Sequence, residues 1–331
     1  MPGLVPSSPL DPLFILLAGL ALDAVAGDMR PLFRLVPHPV VAVGGLIGFL
    51  DRRLNRESRT AEARRLRGVI VVIAVVALAA LCGWLILSVT RRWTWGWLVE
   101  VFLVGVLVAQ RSLYQHVFAV CRALETGGVS AGRDAVRHIV GRDPNSLDEH
   151  GVARAAIESL FENFADGVVA PAFWYLLFGL PGLMAFKAVN TLDSMIGHRS
   201  PRYLDFGAAA ARLDTAANFV PARLSGLIIA LAALVVPKGN PAAAFNTMMR
   251  DAKKHRSVNA GWPEGAAAGA LGLALAGPRR YGAETVKDPW IGDGRARAVP
   301  DDIRRALYLF IAACLVHAAL IALLAVVYLG G

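Results

Sequence analysis

Apolar residues are gathered in long blocks along this chain, with the polar residues between them. Residues 68–89 and 306–329 form the clearest blocks, each matching the roughly 20 apolar residues a helix needs to cross a bilayer core. His317 is the single polar interruption in the second. Shorter or interrupted blocks occupy residues 13–27, 97–109, 168–189 and 219–236. The pattern predicts an all-α integral membrane protein, a polytopic helical bundle with about five to eight membrane segments.

The longest polar stretch covers residues 110–150, an insert with Gly127-Gly128 and Asp143-Pro144-Asn145 as turn signals. It predicts two helices, about residues 113–125 and 130–140, and a third beginning after Asn145 or Ser146 as N-cap, with Asp148 and Glu149 in its first turn. There is no internal repeat or low-complexity tract, so a single integrated membrane domain over residues 1–331 is the simplest organisation. The block at 168–189 is broken by Phe178-Gly179-Leu180-Pro181-Gly182. A kinked span would put the polar groups on its two sides across the membrane from each other. A re-entrant hairpin, with arms of about ten residues reaching half-way across, would let them meet on one side and is the favoured reading.

Composition agrees: 56% of residues are hydrophobic and 18% charged, and the mean hydropathy is +0.52. The net charge is +9, and much of the excess sits in Arg52, Arg53, Arg56, Arg59, Arg64, Arg65 and Arg67. A basic cluster without interleaved aromatics, abutting a membrane span, reads as a cytoplasmic loop and not as a nucleic-acid surface. Gly68 is then cytoplasmic, Arg91 and Arg92 are outside beside a belt of Trp93, Trp95 and Trp97, and the polar insert is inside. One conflict follows: if residues 219–236 run outward, Lys253-Lys254-His255-Arg256 lands outside unless that segment is re-entrant or residues 240–249 cross back. The first apolar block ends in Ala24-Val25-Ala26 but lacks a basic flank and is bordered by Asp11 and Asp23, so it is expected to be retained and not cleaved. Cys82, Cys121 and Cys314 show no disulfide or zinc spacing, and His38, between two prolines, is expected at the surface.

The densest chemistry lies between Glu158 and Arg223. Arg154, Glu158, Glu162 and Asp166 recur every four residues, placing three carboxylates on one helical stripe that runs straight into apolar sequence. The plain alternative is a solvated face with an Arg154–Glu158 pair; carboxylates held together also suit Mg²⁺, which takes a few carboxylates plus waters and phosphates. Lys187, Asn190, Asp193, Ser194 and His198 share a face of the next helix. Arg199, Arg202, Tyr203, Asp205 and Arg212 follow, then Asp214 and Asn218 at helical spacing. Such a mixture suits a phosphorylated substrate with its metal, or a membrane-surface loop with ordinary ion pairs. A second polar island, Ser257 to Gly265, holds Asn259, Trp262 and Glu264, either as substrate contacts or as a helix start with Pro263 at the first position.

The segments LDAVAGD…PHPVVAVGGLI, ESLFENFADGVVAPAFWY, KAVNTLDSMIGHR, YLDFG, ARLDTAANFVPARL, NAGWPEGAAAGALG and RRYG, in this order from Leu22 to about Gly294, resemble the CobD/CbiB family of cobalamin biosynthesis. The resemblance implies a multi-pass protein of the cell membrane with its active site facing the cytoplasm. It further implies an adenosylcobinamide-phosphate synthase, joining aminopropanol phosphate or aminopropanol to a propionate carboxylate of adenosylcobyric acid, the corrinoid, with ATP and Mg²⁺ and no prosthetic group. Membrane lipid is the surrounding partner, nucleic acid is not one, and other enzymes of the pathway are candidate associates.

Residue by residue, the resemblance carries over to Glu158, Glu162, Asn163, Asp166, Lys187, Asn190, Asp193, Ser194, Tyr203, Asp205, Asp214, Asn218, Arg223, Asn259 and Glu264. The roles follow from side-chain chemistry: Glu158, Glu162, Asp166, Lys187, Asp193 and Asp205 are the candidate catalytic residues. Asn163, Asn190, Ser194, Arg202, Tyr203, Asn218, Arg223, Asn259 and Glu264 are candidate substrate contacts. Glu162, Asp166, Asp193 and Asp214 are candidate metal ligands. Met29 and Thr215 depart from the family pattern, which usually has proline and often a second aspartate there. A carboxylate condenses with an amine only after activation, so the resemblance implies an acyl phosphate, with cations stabilising the transferring phosphoryl group and a base accepting the amine's proton. On that scheme Glu158, Glu162 and Asp166 bind metal or amine, Lys187 and Arg202 face phosphate, and Asp193 or Asp205 serves as metal ligand or base. No GxxxxGK[ST] or GxGxxG loop is present. The competing class is a transporter of an anionic solute, which also uses broken helices and intramembrane polar groups.

Overall fold

The structure is a computed structural model that describes residues 11–330 except 28, 30–32, 35–36, 141–142, 282–283 and 287. Asp28, Gly282 and the side chains of Arg279, Arg280 and Tyr281 therefore lie outside the description. Helices dominate. Their starts follow local chemistry: Asp11 caps α1 (Pro12–Ala26) through Leu13 N at 2.7 Å, and Thr60 caps α3 (Ala61–Thr90). His38 caps α2 (Pro39–Leu54), its Nδ1 accepting from Val40 N at 3.2 Å, which gives this histidine a role between its two prolines. There follow α4 (Trp97–Leu107), α5 (Gln110–Val136), α6 (Glu149–Phe164), a π-helical turn (Ala165–Val169), α7 (Ala170–Ile196), α8 (Ala208–Ala217), α9 (Phe219–Ala232), α10 (Pro241–Asp251), α11 (Gly261–Leu271) and α12 (Pro300–Gly330). Two small antiparallel ribbons separate α11 from α12, pairing β1 (Leu275–Ala276) with β4 (Trp290–Ile291) and β2 (Arg279–Tyr281) with β3 (Glu284–Val286).

Among the described residues, four helical stretches are long and apolar enough to cross a membrane: Ala61–Thr90, Trp97–Val136, Glu149–Ile196 and Pro300–Tyr328. The bent pair α8–α9 makes up to five. Large apolar side chains stand exposed along α3 and α12, among them Ile73, Leu81, Leu315 and Leu323, as lipid-facing surfaces require. Trp93 and Trp95 are exposed in the turn after α3, where an aromatic belt is expected. None of the three cysteines is in a disulfide among the described residues. The chain is an all-α polytopic membrane protein.

The described residues form two compact units. One comprises residues 11–109, 170–218 and 324–330, the other residues 110–169 and 219–323, as far as they are described. In the first, Gly179 (φ 64°, ψ −155°) interrupts α7, a conformation open to glycine and strained for other residues. The chain reverses there: a Cβ on Gly182 would overlap the carbonyl oxygen of Trp174, whereas eight residues of continuous helix would separate the two by about 12 Å. The reversal falls where the hairpin was expected, but the return arm is longer than the about ten residues expected. The return arm, residues 180–196, rises about 25 Å and lies antiparallel to α3. Gly83 meets Pro181 (a Cβ there would come within 2.8 Å of Pro181 Cα), and Gly68 abuts the Phe206 carbonyl at the other end. Between them Val71, Val75 and Ala79 pack with Ala188, Leu192 and Ile196.

The second unit repeats the device. Gly128 (φ 65°, ψ −160°) breaks α5, and Gly132 is folded against Leu124, so the insert is a helical reversal as the Gly127-Gly128 signal implies. The next helix starts later than expected. Pro144–Ser146 is a 3₁₀ turn capped by Asp143, and Asp148, not Asn145 or Ser146, caps α6 through Gly151 N. The small residues of α11 let helices approach closely: a Cβ on Gly269 would overlap the Ala243 carbonyl of α10. Helix α11 starts at Gly261, two residues before Pro263. At 11 residues each, α10 and α11 rise only about 16 Å, so residues 240–249 do not cross back.

Candidate functional site

In the first unit the end of the return arm and α8 form a polar group. Asn218 Nδ2 donates to Asp214 Oδ2 at 3.1 Å. The Asn190 side chain and Asp193 both lie close enough to Asp214 to act on it electrostatically. Asn218 is 1% exposed. Asp214 Oδ1 and Asn218 Oδ1 are both buried and, among the described residues, have no hydrogen-bond partner. Ser194 is exposed and donates back to Asn190 O at 2.9 Å. Two turns earlier, Lys187 lines an otherwise largely apolar cavity of about 210 Å³ together with Val43, Leu46, Cys82, Met184 and Thr191.

Arg202, Tyr203 and Asp205 are engaged with α2 and α3. Arg202 Nη2 donates to Asp51 Oδ2 at 2.8 Å, the Tyr203 hydroxyl to the same oxygen at 3.3 Å, and Arg65 Nε to Asp205 Oδ1 at 2.8 Å. Asn55 bonds Asp51 Oδ1 (2.9 Å) and the Arg202 carbonyl (3.1 Å), while Arg64 bonds Asn55 Oδ1 (3.0 Å) and that carbonyl as well. The loop after α7 is thus strapped to the basic end of α3. Asp51 and Asn55 are buried at 7% and 5% exposure. Sequence reasoning missed both, although their i,i+4 spacing inside a run of arginines was a usable signal. Glu100, buried in α4 and bonded by the Tyr175 hydroxyl at 2.7 Å, was missed as well.

In the second unit the acidic stripe divides. Glu158, 5% exposed, accepts a hydrogen bond from Ala276 N at 2.8 Å. Arg154 donates to the Ala296 carbonyl at 2.5 Å and lies 5.4 Å from the Trp290 ring centroid. This half of the stripe grips the β1–β4 ribbon. Glu162 is exposed, Asn163 bonds Ser159 O at 2.8 Å, and Asp166 sits half-buried in the π-helical turn. Such turns are frequent at functional sites, and the wider turn changes the phase of the stripe just before Asp166. Among the described residues, no three His, Cys, Asp or Glu side chains gather closely enough to hold a metal ion. Mg²⁺ needs only one or two carboxylates when substrate phosphates complete its shell.

The polar island after α10 is anchored by a residue the sequence did not flag. Asp251, 1% exposed, meets Arg250 Nη2 at 2.6 Å, Lys254 Nζ at 2.7 Å and Gly292 N at 2.9 Å. The Arg250 hydrogen bond, then those of Lys254 and Gly292, holds its carboxyl well below the usual range. Glu264 (2% exposed) lies 3.7 Å from His255 Nε2, and Asn259 is 8% exposed. The Arg223 guanidinium lies 3.4 Å from the Phe219 and 4.5 Å from the Trp262 ring centroid, a cation–π arrangement.

Helix hairpins broken at glycine, buried carboxylate–amide groups and a basic helix end together define a polytopic membrane protein with polar sites among its helices. The profile of the CobD/Cbib protein family matches residues 16–310. The chain belongs to the CobD/CbiB family. It is 51% identical over 319 residues to a cobalamin biosynthesis protein CobD of Sinorhizobium sp, covering 95% of this chain and 98% of the relative. The protein of the same name from Brucella anthropi is 51% identical over 301 residues (90% and 92%), and that of Rhodobacter capsulatus 44% over 299 residues (89% and 92%). No solved structure matches.

Proposed function

We propose that this protein is a biosynthetic enzyme of cobalamin formation: an ATP-dependent ligase that joins aminopropanol phosphate, or aminopropanol, to a propionate carboxylate of adenosylcobyric acid. The observation that carries this reading is that the family match, residues 16–310, takes in every residue of the candidate polar groups. In the reaction a propionate oxygen attacks the γ-phosphorus of ATP and ADP leaves. The amine nitrogen then attacks the acyl carbon, the C–N bond forms, the C–O bond to phosphate breaks, and the amine proton passes to a carboxylate. Glu162 and Asp166, hard oxygen donors at and beside the π-helical turn, fit Mg²⁺, which supplies charge neutralisation for the phosphoryl group when bound. Lys187 offers a cation to phosphate from its cavity. Arg202, Tyr203 and Asp205 hold their loop and position the end of the return arm. The arginines at the start of α3 support a site facing the cytoplasm across the cell membrane.

The test is incubation of the detergent-purified chain with adenosylcobyric acid, aminopropanol phosphate, ATP and Mg²⁺, followed by mass spectrometry of the corrinoid. A mass gain equal to the amide, with matching ADP release and loss in Glu162→Ala, is the expected result. Folded protein that binds the corrinoid and returns it unchanged with every amine would overturn the ligase in favour of transport, the reading that the glycine-broken hairpins at Gly128 and Gly179 would then support.

A further inference from the structure

The group of Asn190, Asp193, Asp214 and Asn218 is rich in acceptors and short of cations, and we infer that it seats the primary ammonium of the amine substrate. The inference rests on the ligase reading for the identity of that amine. Three observations carry it. Asp193 and Asp214 each stand three residues from the end of their helix, α7 and α8, and neither helix has a basic residue in its last turn. The C-terminal end of a helix is its negative pole, where a carboxylate is disfavoured and a cation favoured, so the two acids repel the very ends that carry them. Second, Asn218 is 1% exposed, and its Oδ1 and that of Asp214 are buried acceptors without a partner among the described residues. The Asn218 amide is already turned so that its nitrogen serves Asp214, which leaves the oxygen for a donor from elsewhere. Third, the donor count fits. A primary ammonium offers three N–H groups and accepts nothing; Asp214 Oδ1, Asn218 Oδ1 and the Asp193 carboxylate are three acceptors.

His198, exposed beyond the end of α7, acts on Asp193 through its charge, but Asp214 faces Asn218, Asn190 and Asp193. A divalent metal is the competing occupant; the site offers it two carboxylates and no third His, Cys or acidic ligand among the described residues.

The test uses the full chain in detergent without ATP or corrinoid. Binding is measured by calorimetry for 1-amino-2-propanol phosphate, for the desamino analogue propan-2-ol phosphate, and for Mg²⁺ alone, on the parent chain and on Asp214→Asn and Asn218→Asp. A site built to bond an N–H group rejects the analogue lacking it, so the amine should bind at least about tenfold more tightly than the desamino compound. Asp214→Asn should erase that preference and Asn218→Asp, which keeps size and adds charge, should retain it. Equal binding of the two phosphates by the parent chain would overturn the inference, as would an unchanged preference in Asp214→Asn. Mg²⁺ binding lost in Asp214→Asn, with no amine preference, would hand the site to a metal and overturn it too. The ligase assay on the same preparation separates the two readings: product without amine preference sinks the ammonium seat alone, and amine preference without product sinks the ligase alone.

Discussion

Asp51 and Arg202 lie 151 positions apart in sequence and meet at 2.8 Å, joining α2 to the loop that follows the return arm. Asp51 accepts from Arg202, Tyr203 and Asn55 at once, and it is 7% exposed. Replacing it strands those donors. Asp51→Ala is expected to cost about 1–3 kcal/mol and to lower activity, with Asp51→Asn intermediate. Thermal melting in detergent, with limited proteolysis of residues 197–207, checks this; unchanged melting and cleavage would show that the strap does not hold the loop.

The contact between Gly83 and Pro181 has a built-in control. A Cβ at Gly83 would press on the Pro181 backbone, while one at Gly45 meets nothing within 4 Å. Gly83→Val is expected to destabilise by about 1–3 kcal/mol, and Gly45→Val to leave melting nearly unchanged. Equal effects would mean that the return arm is not packed on α3 at this point.

Asp251 gives the second unit an acid-sensitive point. Its carboxyl is held below the usual value, so the folded state binds its proton less readily than the unfolded state. The stabilisation is therefore complete above the unfolded value of about 4 and is lost as pH falls through the folded value. Melting temperature should be flat in this respect above about pH 5 and fall below it, and Asp251→Asn should be less stable at neutral pH with a shallower acid slope. A variant with the parent's slope would remove Asp251 as the cause.

On the ligase reading, the stripe that begins on α6 and ends in the π-helical turn divides into a structural carboxylate, Glu158, and two that serve the chemistry, Glu162 and Asp166. Glu158→Gln retains an acceptor for Ala276 N and should keep the fold and most of the activity. Glu162→Gln and Asp166→Asn should leave melting unchanged and lower turnover by about 100-fold or more. Steady-state rates on the ligation assay decide; a dead Glu158→Gln with parental melting would move that residue into the chemistry.

The helices were legible because apolar blocks of span length can hardly be anything else, and the reversals at Gly128 and Gly179 because each glycine has a second helix breaker, Gly127 or Pro181, within two residues. The depth of the hairpin was not legible, since it depends on Gly83 meeting Pro181 about a hundred positions away. Asp51 and Asn55 offered a local signal in their i,i+4 spacing, but their partner Arg202 lies about 150 positions away; Asp251 has two local partners, Arg250 and Lys254, and only its bond to Gly292 N is distant. The π-helical turn at Asp166 leaves no mark in residue spacing. Arg202, Tyr203 and Asp205 were recognised as a cluster, but their partners Asp51 and Arg65 lie in another segment, so strap and substrate contact looked alike.

The return arm acts as a ruler. Its start is fixed by Pro181 on Gly83 and the loop after it by Phe206 on Gly68, so the position of Asn190 and Asp193 is set by counting residues from the bend. One residue added between 182 and 189 would shift the arm by about 1.5 Å and swing everything below it by about 100°. Asn190 and Asp193 would turn away from Asp214 with every side chain still present. In this region chain length is therefore constrained in its own right: an insertion or deletion should disable the site even where every side chain is kept.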